Sequence, residues 1–227
     1  MTTNTNKPVL SGEEFARSLA EDNLVKLERL GKLNSEGEAP DDLSVSRLLR
    51  VALKNELEAT EIAAIWLATT PEIEVKLALA RQVGDEARHY RLISERLASL
   101  GVDASAIDPR EGGYSPLFDY LRHLQSTAAR IAAGQFTREG IALVRNQAFI
   151  DYCEARGDRE TAALYRDHIQ RDEQHHHEMG RRLLARYAVS EDEQRIARQA
   201  AEHTLELAEE IQETARLKAG ISRAPGC

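Results

Sequence analysis

The sequence predicts an all-α protein, organised as a four-helix bundle with one extra helix at each end. Aromatic residues are only 5% of the 227 residues, whereas Ala, Leu, Glu and Arg, which favour helices, are abundant. No segment of useful length alternates apolar and polar residues as a half-buried strand does. Apolar residues instead recur every three or four positions between helix start and stop signals.

Capping residues, prolines and glycines divide the chain into six predicted helices. Ser11 with Glu14 forms a capping box before the first helix, and Ser190 with Glu193 forms another before the last. Pro71 marks the start of the third helix, because proline suits the first helical position. The predicted helices cover residues of about 11–30, 43–69, 71–100, 116–156, 158–187 and 190–218.

These helices suggest three regions in one domain. Residues 1–42 form an N-terminal extension with a short helix, residues 43–187 form the bundle, and residues 188–227 form a C-terminal helix and tail. The connections near Pro71 and Gly157 are very short, so they predict two antiparallel hairpins. Gly134 is a candidate position for a bend, and the tail GISRAPGC is expected to be frayed.

Composition argues against several function classes. The net charge of −8 argues against nucleic-acid binding, and no apolar run approaches the roughly 20 residues that span a bilayer. The N-terminus lacks a signal pattern, so a cytoplasmic location is expected. Only Cys153 and Cys227 are present, which excludes a disulfide framework and a four-cysteine metal site. Cys153 lies in a helical pattern and is expected to be a small core residue.

The pattern Glu-x-x-His occurs twice, as Glu86 with His89 and as Glu173 with His176. Residues three apart share a helix face, so each pair can direct a carboxylate and an imidazole at one point. Both pairs fall on the apolar stripe of their helix, where a buried carboxylate is costly unless something compensates its charge. The two motifs therefore predict a metal site in the core.

Two further glutamates interrupt the stripes of the other bundle helices, Glu56 in the first and Glu139 in the third. Glu56 and Glu86 each lie 15 residues from Pro71, while Glu139 and Glu173 lie 18 and 16 residues from Gly157. In antiparallel hairpins this places each glutamate pair at nearly the same level. In the third bundle helix, the alternatives to Glu139 are Asp151 and Glu154. In the first bundle helix, Glu58 falls away from the core stripe and is expected to be solvated.

Charge and ligand type indicate a dinuclear centre. Four carboxylates and two neutral imidazoles are neutralised by two divalent cations, and oxygen-rich ligation with imidazole suits iron or manganese. Asp85 and Asp172 directly precede the ligating glutamates. We expect Asp85 to accept a hydrogen bond from His176, and Asp172 from His89, which would orient both rings. His168 lies two turns before His176 and is expected on the core face.

These motifs resemble those of the ferritin-like di-iron carboxylate superfamily. ELEA at 56–59 is similar to a bacterioferritin segment, and DEARHYRLISERL at 85–97 and RDEQHHH at 171–177 are similar to its metal-binding helices. The resemblance implies a ferritin-like bundle in which Glu86 and Glu173 bridge the metals. It also implies that the ligands are Glu56, Glu86, His89, Glu139, Glu173 and His176.

The departures narrow the functional expectation. The chain lacks the paired CxxC motifs of rubrerythrins, the bacterioferritin haem-ligand Met and, at Ile93, the radical-bearing Tyr of ribonucleotide reductase subunits. What remains resembles the oxygen-activating members. We expect a di-iron oxidoreductase that hydroxylates or oxidises a small organic substrate with O2, with no catalytic residues beyond the metal ligands. Its electrons would come from a separate reductase, and a homodimer is expected. The alternatives are ferroxidase, iron storage, peroxide scavenging or a non-catalytic partner subunit.

Overall fold

The computed structural model describes residues 9–32, 44–221 and 224–226, and every regular element within them is helical. This confirms the all-α class. The main helices are α1 (Gly12–Gly31), α2 (Val45–Thr69), α3 (Ile73–Ser99), α4 (Pro116–Leu121), α5 (Thr127–Ile131), α6 (Glu139–Ala155), α7 (Arg159–Leu164), α8 (Gln170–Tyr187) and α9 (Glu191–Ala219). A 3₁₀ turn, Ala104–Ala106, lies between α3 and α4. None of the described helices is both long and apolar enough to cross a membrane.

The predicted helix starts are close to the observed ones. Ser11 and Ser190 both form complete capping boxes, and Ser44 accepts a hydrogen bond from the backbone N–H of Arg47 at the start of α2. Helix α3 begins at Ile73, two residues after the predicted start. The predicted start of α2 at Leu43, and Cys227, lie outside the described residues.

The long helix predicted from Pro116 to Arg156 is interrupted, which corrects the sequence-based prediction. The chain leaves helical geometry after Leu121 and returns to it at Thr127. Side chains from elsewhere bind the carbonyl groups at the break: Trp66 Nε1 donates to Leu121 O at 3.3 Å, and Arg130 Nε donates to Leu124 O at 2.9 Å. The Trp66 contact is tertiary and the Arg130 contact spans six residues, and residues 122–126 contain no Pro or Gly that could indicate the break.

The helices pack as two antiparallel pairs with two outer helices. Helices α2 and α3 form one hairpin, and α6 and α8 form the other around the turn at Gly157. Helix α1 packs against α6 and α8, and α9 packs against α1 and α5. The extra helices at both ends of the chain therefore cover the second hairpin.

Two large apolar clusters lie on either side of a polar layer, and a third, small one joins α1, α6 and α9. The first includes Trp66, Phe136 and Leu183, and the second includes Leu49, Ile93 and Tyr165. On α3 the glutamate Glu86 lies between Leu79 of the first cluster and Ile93 of the second. Carboxylates thus occupy the middle of an otherwise apolar core.

The expectation of a frayed C-terminal tail is wrong for residues 224–226. Asn55 Nδ2 donates to Pro225 O at 2.9 Å, and the backbone N–H of Gly226 donates to Asn146 Oδ1 at 2.8 Å. Pro225 and Gly226 are buried, and Ile221 belongs to the second apolar cluster. The tail is held because it supplies hydrogen bonds and apolar contact to α2 and α6.

Candidate metal centre

Four helices bring four carboxylates and two imidazoles together inside the core. The groups are Glu56 from α2, Glu86 and His89 from α3, Glu139 from α6, and Glu173 and His176 from α8, each at most 3% exposed. They form two overlapping groups of four. Within each group, the ligand atoms lie within 4.8 Å of one another. One group is Glu56, Glu86, His89 and Glu173; the other is Glu86, Glu139, Glu173 and His176. Glu86 and Glu173 belong to both groups.

Each histidine directs its Nδ1 atom at the carboxylates. His89 Nδ1 lies 3.2 Å from Glu86 Oε2, 3.4 Å from Glu56 Oε2 and 3.7 Å from Glu173 Oε1. His176 Nδ1 lies 3.3 Å from Glu173 Oε2 and 3.7 Å from Glu86 Oε1. The i, i+3 spacing on each helix produces the shorter contact of each ring within its own motif.

The outer nitrogen of each ring meets an aspartate from the opposite helix. His89 Nε2 lies 3.0 Å from Asp172 Oδ2, and His176 Nε2 lies 3.2 Å from Asp85 Oδ2. The predicted crosswise pairing is confirmed. The hydrogen bonds from His176 and His89 lower the pKa of Asp85 and of Asp172, respectively, so both aspartates are ionised acceptors near neutral pH. Each pair fixes which ring nitrogen remains for the interior.

On the α6 side, Glu139 is held by neighbouring donors through only one of its oxygens. Gln82 Nε2 donates to Glu139 Oε1 at 2.7 Å and lies 3.3 Å from Glu86 Oε1. Arg138 Nη1 lies 3.4 Å from the same Glu139 oxygen. Glu139 Oε2 is buried and has no hydrogen-bond partner among the described residues. Such an atom requires an explanation, and a cation ligand is one.

Burial and crowding shift the pKa values of the cluster in opposite directions. Burial raises the pKa of Glu56 to about 7, and burial beside Glu86 and Glu139 raises that of Glu173 well above its usual range. Burial also opposes ionisation of Glu86, but the hydrogen bond from His89 and the neighbouring positive charges lower its pKa overall. His176 loses solvation too, yet its bonds to Asp85 and Glu173 raise its pKa to about 11. Protons therefore partly compensate the carboxylates where no cation does.

The residues present fit a metal ion. Buried carboxylates are stable only when paired with positive charge, and Arg138 is the one guanidinium that contacts them within the described chain. Carboxylate oxygens and imidazole nitrogens converge within a few ångströms, which is a ligand set for a divalent cation. The cluster could therefore hold metal. Asp151 and Glu154, the alternatives to Glu139, are both exposed.

Two π-helical turns precede the ligands of the second hairpin. Ala132–Arg138 joins α5 to Glu139, and Tyr165–Ile169 joins α7 to the helix of Glu173. His177 Nδ1 lies 2.7 Å from Phe136 O, so a side chain binds a carbonyl of the first π turn. Such turns are often found at functional sites, because the extra residue rotates the side chains that follow. The expectation that His168 faces the core is wrong, since the second π turn leaves it exposed.

The sequence did not indicate the surroundings of three buried residues. Arg138 is buried against Glu139, and the hydroxyl of fully buried Tyr165 has no hydrogen-bond partner among the described residues. Burial, and then Glu56, raise the pKa of Tyr165 well above its usual value. Glu58, expected to be solvated, is 8% exposed and accepts hydrogen bonds from Ser115 N and Oγ at 2.9 and 2.5 Å. Arg138 also lies against Asn55 O, 83 positions away, and Glu58 binds Ser115, 57 positions away, so no local pattern indicates these contacts.

Comparisons with known proteins give a family and a fold. The model of a family described as "Protein of unknown function (DUF455)" matches residues 26–225. The structure is similar to that of a TenA homologue from Pyrococcus furiosus, with a TM-score of 0.63 and 14% sequence identity, over 86% of this chain and 96% of that one. No curated protein matches the sequence. At this identity the likeness concerns the all-helical fold alone, and it points to a TenA-type arrangement.

Proposed function

The chain belongs to the family described as "Protein of unknown function (DUF455)", and we propose that it is a di-iron carboxylate oxidoreductase. In this proposal it activates O2 to hydroxylate or oxidise a small organic substrate. The observation that carries the proposal is the pair of overlapping ligand groups that share Glu86 and Glu173. A single metal needs only one such group, whereas two groups with common carboxylates suit two metals in a ferritin-like arrangement.

The proposed role of each ligand depends on whether it belongs to one of the two ligand groups or to both. Glu56 and His89 would hold one ion, Glu139 and His176 the other, and Glu86 and Glu173 would bridge them. Two iron ions, or manganese in their place, would supply the electrons and Lewis acidity for the reaction with O2 when bound by these residues. Asp85 and Asp172 keep the His Nδ1 atoms aimed inward, and the two apolar clusters exclude water from the site. A separate reductase would re-reduce the metals, and the protein would work as a homodimer.

Metal loading of variants tests the site. After iron reconstitution we expect about two ions per chain in the wild-type protein, measured by plasma mass spectrometry. Glu86→Ala and Glu173→Ala should each abolish binding, because each removes a ligand common to both groups. Glu154→Ala, which changes an exposed glutamate on α6, is the matched control and should load normally.

Circular dichroism should show that the helices persist in both bridging-ligand variants. Full iron occupancy in Glu86→Ala and Glu173→Ala would overturn the site assignment.

Measurements of oxygen consumption distinguish the reaction types. Consumption that depends on an organic substrate and a reductant supports the oxidoreductase. Consumption that follows Fe(II) addition alone, in a many-subunit particle by size-exclusion chromatography, indicates ferroxidase or storage activity instead.

A further inference from the structure

The two glutamates common to both ligand groups each present one oxygen to each histidine. His89 Nδ1 lies 3.2 Å from Glu86 Oε2 and 3.7 Å from Glu173 Oε1. His176 Nδ1 lies 3.7 Å from the other Glu86 oxygen, Oε1, and 3.3 Å from the other Glu173 oxygen, Oε2. The candidate centre therefore has a His89 position and a His176 position, each with its own set of oxygen atoms.

Hydrogen-bond donors already contact the oxygen atoms of the His176 position. Glu139 completes this position, and Gln82 Nε2 donates to its Oε1 at 2.7 Å. The same amide nitrogen lies 3.3 Å from Glu86 Oε1, the oxygen that faces His176. Arg138 Nη1 also lies 3.4 Å from Glu139 Oε1. One oxygen of Glu139 thus receives two donors, and the unpartnered Oε2 is left for an ion.

The His89 position has no comparable donors. Its own carboxylate is Glu56, whose Oε2 lies 3.4 Å from His89 Nδ1, and among the described residues no arginine or amide side chain contacts this carboxylate. Arginine keeps its charge in proteins, so Arg138 offsets the charge of Glu139 at every accessible pH. Because a cation is attracted by the negative charge around it, the electrostatic field is more favourable at the His89 position.

The outer partners of the two histidines do not produce this difference. Each ring Nε2 is bonded to an aspartate, at 3.0 Å for Asp172 and 3.2 Å for Asp85. Each aspartate is in turn paired with an arginine, Arg88 beside Asp172 and Arg81 beside Asp85. Both rings therefore have similar outer surroundings, and the asymmetry arises on the α6 side of the centre, where the buried guanidinium lies.

We infer that Arg138 and Gln82 make the two positions unequal, so that the His89 position binds a divalent cation first and the His176 position binds a second one more weakly. Both are positioning residues, because each acts through a carboxylate and not through contact with an ion. The inference rests on the dinuclear ligand set of the proposed function and does not depend on the oxidation of a substrate. A chain with a single ion, at the His89 position, should therefore accumulate at low metal concentration.

Titration of chelator-treated, full-length protein with Mn²⁺ in the absence of O2 tests the inference. EPR spectroscopy counts the free Mn²⁺, and the titration is made at pH 8, above the pKa of Glu56 of about 7, so that protons compete little. The wild-type protein should bind two ions in two steps whose dissociation constants differ by about tenfold or more. Glu139→Gln should keep the tight step and lose the weak one, whereas Glu56→Gln should lose the tight step.

Substitutions of the two donors test their role directly. Arg138→Gln removes the charge and should strengthen the weak step by about tenfold with the tight step unchanged, whereas Arg138→Lys keeps the charge and should keep both steps. Gln82→Leu removes the amide and should act in the same direction as Arg138→Gln, which keeps the test open if that variant does not fold. Arg130→Gln changes another buried arginine, which binds Leu124 O away from the centre, and should leave both steps unchanged.

The outcomes separate this inference from the proposed function. Two Mn²⁺ ions bound with equal affinity by the wild-type protein would overturn the inference, and so would a tight step that is lost in Glu139→Gln. A weak step that is unchanged in both Arg138→Gln and Gln82→Leu would overturn it as well. Fewer than two ions per chain would contradict the dinuclear centre and the inference together. Iron-loaded protein without oxygen chemistry would contradict the oxidoreductase function alone, because the order of metal binding is measured without O2.

Discussion

At the scale of single residues, the histidine orientations depend on the aspartates that accept their outer nitrogens. His89 and His176 each have two nitrogens that could face the core, and the bonds to Asp172 and Asp85 assign Nδ1 to the interior in both. These aspartates are partly exposed, and the imidazoles beside them are buried. Their contribution is to orient and polarise a ligand rather than to bind metal.

Asp172→Asn and Asp85→Asn should each lower metal affinity by about 10- to 100-fold, because the loss of the carboxylate weakens the orientation and basicity of the ring. Competition with a chromophoric chelator measures the change. Asp167→Asn, at an exposed position on α7's π turn, is the control and should leave affinity unchanged. Equal affinity in all three variants would show that the aspartates do not support the ligands.

At the scale of elements, close helix packing around the first π turn depends on glycines. A Cβ atom at Gly180 of α8 would lie 2.5 Å from the carbonyl of Gln135, and one at Gly134 would lie 2.5 Å from Trp66 Cζ3. These contacts leave no space for a methyl group, so the π turn can approach α8 and α2 only over glycine. Gly84, on the outer face of α3, has open space instead.

Replacing these two glycines, Gly180 and Gly84, with alanine should therefore change the free energy of unfolding in opposite directions. Gly180→Ala should destabilise the fold by about 1–3 kcal/mol, because backbone of the π turn must move away. Gly84→Ala should stabilise it by roughly 0.5–1 kcal/mol, because alanine restricts the unfolded chain and favours helix. Urea denaturation followed by circular dichroism measures both. A stabilising Gly180→Ala would contradict the close packing described above.

At the scale of the whole molecule, a polar layer interrupts the core between two apolar clusters. This layer carries more carboxylates than fixed cations, so the folded state becomes more stable when protons or metal ions neutralise the layer. Since the pKa of Glu56 is raised to about 7 and that of His176 to about 11, both groups hold protons near neutral pH until metal displaces them. Folding, protonation and metal binding are therefore coupled.

Metal binding should consequently release protons, and metal affinity should rise from about pH 6 to about pH 8 because protons compete for the same ligand atoms. Titration calorimetry in two buffers of different ionisation enthalpy measures the number released. Removing the metal with a chelator should lower the melting temperature of the wild-type protein and leave that of Glu86→Ala unchanged. An affinity that does not change over this pH range would show that the ligand atoms are not protonated beforehand.

The sequence by itself determined the helical class, the capping boxes and the six groups of the candidate site. It did so because those features are periodic: a Glu-x-x-His pair on an apolar stripe has only one direction in which to point. The crosswise Asp85–His176 and Asp172–His89 pairs were expected because each aspartate directly precedes a ligating glutamate and can accept from a histidine on the facing helix.

Only the tertiary structure decided the break after Leu121, the exposure of His168, the burial of Arg138 and the docking of the C-terminal tail. Each depends on a partner distant in sequence or on a π turn that shifts the helical phase, and neither leaves a local signature.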